Sequence, residues 1–303
     1  MVRFDRRTYE YVTGVPASGD VYLNDVAAPA SDRIFVVGGD PPEGGGWRWR
    51  AVLLRWDGHE WARMDAPAPK GTILQGVVAV APDDVWAVGF FYPPNSGSRA
   101  LALHFDGTRW SRVDVPSSAK NDGLMAIGAS SATNVWADGN RGEDHAVVLR
   151  FDGSRWTEVD LPRGISQGPG LYAIEVLSTD DVWIVGHEHL ARHGYSGGAL
   201  HFDGRRWTSE LIEDAESLTD VETVGRGEVW AVGYTGSTGL EGTAKPLAVR
   251  HTGSWRRVGI EDPDVGGEFA SVAANDRGDV WAIGEKAGSD WVIQRACRRR
   301  DDG

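Results

Sequence analysis

The sequence predicts an all-β chain of six similar four-stranded units, and three recurring patterns predict it. The first is a hexapeptide with an apolar centre and a closing glycine: "RIFVVG" (33–38), "DVWAVG" (84–89), "NVWADG" (134–139), "DVWIVG" (181–186), "EVWAVG" (228–233) and "DVWAIG" (279–284). The closing glycines, Gly38, Gly89, Gly139, Gly186, Gly233 and Gly284, stand 47 to 51 residues apart. The second pattern is an Asp-Gly turn followed by tryptophan: "LRWDGHEW" (54–61), "LHFDGTRW" (103–110), "LRFDGSRW" (149–156) and "LHFDGRRW" (200–207), with a shorter "VRHTGSW" (249–255). The third is a large apolar residue with Val or Ile three positions later, upstream of each hexapeptide: Leu23/Val26, Leu74/Val77, Leu124/Ile127, Leu171/Ile174, Leu218/Val221 and Phe269/Val272.

Taken in order, each unit offers four strands. Strand a carries the L-x-x-V pair. A short turn rich in Asp, Asn and Gly leads to strand b, the hexapeptide, and a variable loop leads to strand c, "LxHF". Asp-Gly then makes a tight hairpin turn, because glycine takes positive φ readily, and strand d follows with its tryptophan. Aromatic and β-branched residues bounded by turn chemistry are the mark of strands. Four strands in roughly 40–50 residues is the arithmetic of a β-propeller blade. The expected single propeller domain, 1–303, has blades at about 21–66, 72–115, 123–161, 170–212, 217–260 and 267–297. The sixth unit shows no strand d after "DWVIQRACRRRDDG", whereas the segment 2–13 begins "VRFDRRTYEYV", in which Phe4, Asp5, Tyr9 and Val12 fall under Phe151, Asp152, Trp156 and Val159. That segment is therefore expected to supply the outer strand of the last blade and close the ring, since an open ring leaves a strand edge unpaired.

These repeats resemble bacterial β-propellers with "DVWAVG … FDGxxW" blades, along essentially the whole chain. The resemblance implies the fold and leaves function open, because propellers host many unrelated activities. It also implies that b–c and d–a connections share one face and that a–b and c–d turns share the other.

Composition narrows the partners. A formal net charge of −13 disfavours nucleic acid or an anionic membrane. The single cysteine, Cys297, excludes an internal disulfide and a Cys-rich metal cluster. "MVRFDRRTYEYV" lacks the apolar core of a secretory signal, so the chain reads as cytoplasmic. Arginine outnumbers lysine, which points to a GC-rich bacterial genome.

Residues that recur in every blade are read as scaffold, and function is sought where the copies differ. The b–c loops differ most, and loops on a rigid scaffold are where binding groups concentrate. Blades 1 and 2 carry aromatics there: Trp47, Trp49, Phe90, Phe91 and Tyr92, expected to form an apolar wall. Blades 3 and 4 carry ionisable groups: Asn140, Arg141 and His145, then His187, Glu188, His189 and His193. Asp138 is the one carboxylate at a position that is Val or Ile in the other five hexapeptides. A lone carboxylate must be paired, protonated or near solvent, so Asp138 is expected either at the pocket mouth or paired with Arg141 or His145. If strand b continues, His187 and His189 share a face and suit one substrate or one divalent metal, the only cofactor these residues suggest. There is no H-E-x-x-H, G-x-G-x-x-G or P-loop, and no serine in a strand-to-helix nucleophile elbow.

The expected function is binding of a small organic molecule over the central opening on the b–c face. Its catalytic form is a proton transfer of lyase, cyclase or isomerase type with Asp138, His187 and His189 as acid–base groups. Arg141, Asn140, Glu188, His193 and the aromatics would then be ligand contacts. The alternatives are a carbohydrate-binding lectin or a protein-interaction scaffold. A lectin should repeat its binding residues from blade to blade, and here the unusual residues are confined to single blades.

Overall fold

The computed structural model describes residues 2–5, 8–11, 21–46, 48–116, 121–142, 145–161, 170–190, 194–225, 227–236, 244–260, 266–275, 277–286 and 290–296. Their regular elements are β-strands, and the chain divides into two compact units, residues 1–127 and 128–303, with the boundary inside the first strand of blade 3.

In the first unit, β1 (Val2–Asp5) and β2 (Thr8–Tyr11) form a hairpin. Blade 1 is β3 (Tyr22–Ala30), β4 (Arg33–Asp40), β5 (Arg50–Trp56) and β6 (Trp61–Arg63). Blade 2 is β7 (Thr72–Ala81), β8 (Asp84–Phe91), β9 (Arg99–Phe105) and β10 (Trp110–Val113). β11 (Asp122–Ser131) opens blade 3, which β12 (Asn134–Arg141), β13 (His145–Phe151) and β14 (Trp156–Glu158) complete. Blade 4 is β15 (Gly170–Ser178), β16 (Asp181–Leu190), β17 (Gly194–Phe202) and β18 (Trp207–Leu211). Blade 5 is β19 (Ser217–Val224), β20 (Glu228–Thr235), β21 (Lys245–His251) and β22 (Trp255–Arg257). Blade 6 has three strands, β23 (Gly267–Ala274), β24 (Val280–Lys286) and β25 (Asp290–Ala296). Sheet order follows chain order throughout.

The N-terminal segment forms a hairpin, its two strands paired with each other, Phe4 opposite Tyr9, in the register in which Phe151 meets Trp156 and Phe105 meets Trp110. The likeness of 2–12 to 149–159 is thus that of a whole c–d hairpin, whose two strands satisfy one another's backbone groups.

The repeated letters have local causes. Strand a carries a bulge after its large apolar residue, a register shift at Leu23/Asp25, Leu74/Gly76, Leu171/Ala173, Leu218/Asp220 and Phe269/Ser271. The bulge brings a strand-a carbonyl onto strand b. A Cβ at Gly38, Gly89, Gly186, Gly233 or Gly284 would fall on the carbonyl oxygen of Tyr22, Ile73, Gly170, Ser217 or Glu268, so the hexapeptide must close in glycine. In the c–d turns Gly58, Gly107, Gly153 and Gly204 have φ between 85° and 99°. The aspartates before them, Asp57, Asp106, Asp152 and Asp203, each accept two backbone N–H groups at 2.8–3.0 Å.

The first residue of strand b orders the tryptophan two places on. Trp136, Trp183 and Trp230 donate through Nε1 to Asn134, Asp181 and Glu228 at 2.8–3.0 Å. The cross-strand residue from strand c covers the ring: His201 stacks on Trp183 at 4.0 Å, His104 on Trp86 at 4.3 Å, and Arg150 lies over Trp136 at 5.2 Å. The far edge of three strand-b aromatics packs on the next blade: Phe35 on Phe105 and Trp110, Trp136 on Phe202 and Trp207, Trp183 on Trp255. Strand a is also tied to the next strand a. Asp25 accepts from the Val77 N–H at 2.8 Å, and Asp220, at the same repeat position, from the Val272 N–H at 2.9 Å.

Candidate functional site

The c–d turn glycines touch the a–b turn of their own blade. A Cβ on Gly58, Gly107, Gly153 or Gly204 would meet Asp32, Asp83, Thr133 or Asp180 at 2.7–3.0 Å. The two short turns therefore share one end of each blade and the b–c loop rises from the other. At that other end the residue after the closing glycine pairs with the start of strand a: Gly39 with Tyr22, Phe90 with Ile73, His187 with Gly170, Tyr234 with Ser217 and Glu285 with Glu268. One backbone position thus presents a different chemistry in each blade.

In the first unit this end is aromatic. Trp49 lies 5.6 Å from Tyr22 and against the Cα of Gly39, where a side chain would collide with its ring. Phe90 meets Tyr92 edge-on at 5.6 Å. Gly71 links the two groups, its N–H donating to the Trp49 carbonyl at 2.7 Å and its carbonyl accepting from Tyr92 N–H at 3.1 Å. Trp49, Phe90 and Tyr92 are half-buried. Phe91 is not part of this wall. Strand alternation turns it to the other face of β8, where it is 8% exposed in the core with Leu101 and Leu103 and beneath Arg112. Trp47 lies outside the described residues.

In the second unit the same end is polar and centres on His187. Its Nδ1 is 3.3 Å from the Tyr172 hydroxyl and 3.4 Å from the Ser217 hydroxyl, and its ring meets the Tyr172 ring edge-on at 5.3 Å. Tyr172 is 43% exposed and Ser217 is buried, so the group has one open side. The cavity beneath it, bordered by Gly186, His187, Gly198 and Leu211, is about 30 Å³, room for little more than water. Strand β16 continues through Leu190, with Glu188 opposite Ser196 and His189 opposite Tyr195, so His187 and His189 hold alternate positions of one strand. The side chains of Glu188 and His189, and all of His193, lie outside what is described. Among the described residues no group of three His, Cys, Asp or Glu is arranged to hold a metal.

Asp138 corrects the expectation of a pocket-mouth carboxylate. It is 0% exposed, opposite Val148 in the middle of the β12–β13 ladder, because the position it fills is the core-facing one of the hexapeptide. Arg141 donates through Nη1 to both oxygens of Glu158, at 3.0 and 2.9 Å. His145 is exposed and Asn140 half-buried, at the end of the same ladder.

A second cluster escaped the sequence reading. The residue after the strand-a Val or Ile is Ala27, Val78, Gly128 or Ala273 in four blades and glutamate in two, Glu175 and Glu222. Glu175 accepts from the Thr223 hydroxyl at 3.1 Å, and Asp220 from the Ser271 hydroxyl at 2.7 Å and the Val221 N–H at 2.9 Å. Desolvation raises the pKa of all three carboxyls. Glu222, near both other charges, is pushed up to about 8. Subtracting the repeat from strand a, as was done for strand b, would have exposed both glutamates.

No family model matches the chain, and no curated protein matches it. Solved structures do. The six-bladed β-propeller lectin of Aleuria aurantia aligns over 92% of this chain and 93% of its own, with 12% identity and a TM-score of 0.53. A protein of unknown function from Dyadobacter fermentans aligns over 93% and 95%, with 11% identity and a TM-score of 0.57. The GH74 xyloglucanase of Xanthomonas campestris aligns over 89% of this chain and 44% of its own, with 13% identity and a TM-score of 0.59. At these identities the likeness speaks for fold alone. No helix among the described residues is long and apolar enough to cross a membrane. With its repeated antiparallel sheets, the chain is a six-bladed β-propeller.

Proposed function

We propose that this propeller binds a small polar organic molecule at the b–c end of its blades, with His187, Tyr172 and Ser217 as contacts. The observation that carries the reading is the convergence of these three side chains at the backbone position where blade chemistry differs. An exposed phenol ring offers a flat face, and the imidazole and hydroxyls beside it offer directional hydrogen bonds, the mix that small-ligand sites combine. The aromatic group of Tyr22, Trp49, Phe90 and Tyr92 in the first unit supports the same use of this end. Neighbours in fold include a lectin and a xyloglucanase, which accords with an organic ligand.

A proton transfer is the second reading, favoured by the Tyr172–His187 contact, since a phenol beside an imidazole is a common acid–base pair. The first test is mass spectrometry of metabolites that co-purify with the protein, followed by titration of any compound found. Tyr172→Phe and His187→Ala should each weaken its binding roughly tenfold or more, as loss of a ligand hydrogen bond costs about 1.5 kcal/mol. Unchanged affinity in both variants would remove the site.

A further inference from the structure

We propose that Glu175, Asp220 and Glu222 form a proton-operated latch, which holds the seam between strands β15, β19 and β23 tight while the group retains a proton and loosens it when the last proton leaves. The three strands are the inner strands of blades 4, 5 and 6, and three ties across the seam end on carboxylates, beside the Thr219 hydroxyl that donates to the Phe269 carbonyl at 2.7 Å. Thr223 of β19 donates to Glu175 of β15, and Ser271 and the Val272 N–H of β23 donate to Asp220 of β19. Asp220 thus has three donors with the Val221 N–H, which oppose the upward push of burial without cancelling it. Glu175 has one hydroxyl, and Glu222 has the Thr223 backbone amide beside it. Burial and two neighbouring carboxyls together favour a retained proton on Glu222.

Among the described residues, the other charges near the seam are engaged elsewhere or lie at its edge. Glu222 and Thr223 border a cleft of about 410 Å³ whose other wall is Ala274, Asn275, Arg277 and Gly278, so the proton has a path to solvent and Arg277 is the one cation on the described walls. On the flanking strands, Glu228 of β20 is engaged with Trp230 and Arg250, and Asp181 of β16 with His201 of β17. Glu268 sits at the far end of β23, opposite Glu285.

The sign follows from the direction of the shift. The Glu222 carboxyl titrates at about 8 in the fold against an ordinary 4.5, so the folded chain holds the extra proton between those values. Stability is therefore full below about 4.5 and falls as pH rises towards 8. The repeat itself argues that the two glutamates are not scaffold, since four blades fill the Glu175/Glu222 position with Ala, Val or Gly.

Thermal unfolding followed by tryptophan fluorescence from pH 5 to pH 9 tests the latch on the full chain. The wild type should lose melting temperature steadily over this range. Glu222→Gln, a permanent stand-in for the protonated acid, should flatten the profile and melt above wild type at pH 9. Glu175→Gln removes one repelling charge, so its fall should be smaller and complete at lower pH than in wild type. Profiles of both variants that run parallel to wild type would overturn the proposal. If Glu222→Gln does not fold, Glu175→Gln alone decides, and a profile superposable on wild type refutes the latch.

Discussion

Replacing the closing glycine of a blade by alanine tests the packing of strands a and b most directly. In Gly89→Ala the new Cβ coincides with the Ile73 carbonyl oxygen and lies 2.8 Å from the Leu74 Cα, so backbone must move. β7 cannot retreat cheaply, because Leu74 is 0% exposed and packed with Val77, Leu101 and Leu103. Overpacking of this kind costs about 1–3 kcal/mol. Breaking the adjoining ladder hydrogen bond adds about 1 kcal/mol, for a total of about 2–4 kcal/mol. With about 2.1 cal/mol/K of unfolding entropy per residue, that is a fall of about 3–6 °C in Tm. Gly259→Ala is the control, since a Cβ there meets nothing within 4 Å. It should stay within about 0.5 kcal/mol of wild type. Urea denaturation followed by circular dichroism measures both. A Gly89→Ala protein as stable as Gly259→Ala would refute the argument that the bulged carbonyl dictates the glycine.

Two further outcomes separate scaffold from surface. Phe91→Ala should cost about 3–5 kcal/mol in urea denaturation, as for other buried phenylalanines, whereas Phe90→Ala, half-buried at the b–c end, should cost clearly less. On the acid side, the Ser154 hydroxyl and the backbone N–H groups of Arg155 and Ser154 lower the Asp152 carboxyl to about 2, below its ordinary 3.8. Its contribution is present above 3.8 and is lost as pH falls through about 2, so Asp152→Ala should lower Tm at pH 6 and make little difference at pH 2.

The reach of sequence reading differed between fold and site. Blade count and strand order were legible because each blade's signals lie within one hairpin: an Asp-Gly turn, an alternating strand, a glycine that admits a carbonyl. The N-terminal segment was legible as blade-like, and its two strands pair with each other as a c–d hairpin does. For the site, the aromatic cluster at Trp49, Phe90 and Tyr92 followed from loop composition, and Phe91 was misassigned because adjacent strand residues face opposite ways. Asp138 was the most conspicuous departure from the repeat, yet it is buried, since an unusual residue at a core position remains at a core position.

The sequence by itself determined the six repeats, the strands within them and the turns that join them. Its periodicity and turn chemistry act between residues a few places apart, and such local preferences leave their mark on every copy. Only the tertiary structure decided which variable residues meet. Tyr172, His187 and Ser217 lie on three strands, and Glu175 lies up to 47 residues from Asp220 and Glu222 and on another strand. They become neighbours through the a–b register and the packing of one inner strand on the next, and no single stretch of sequence carries that information.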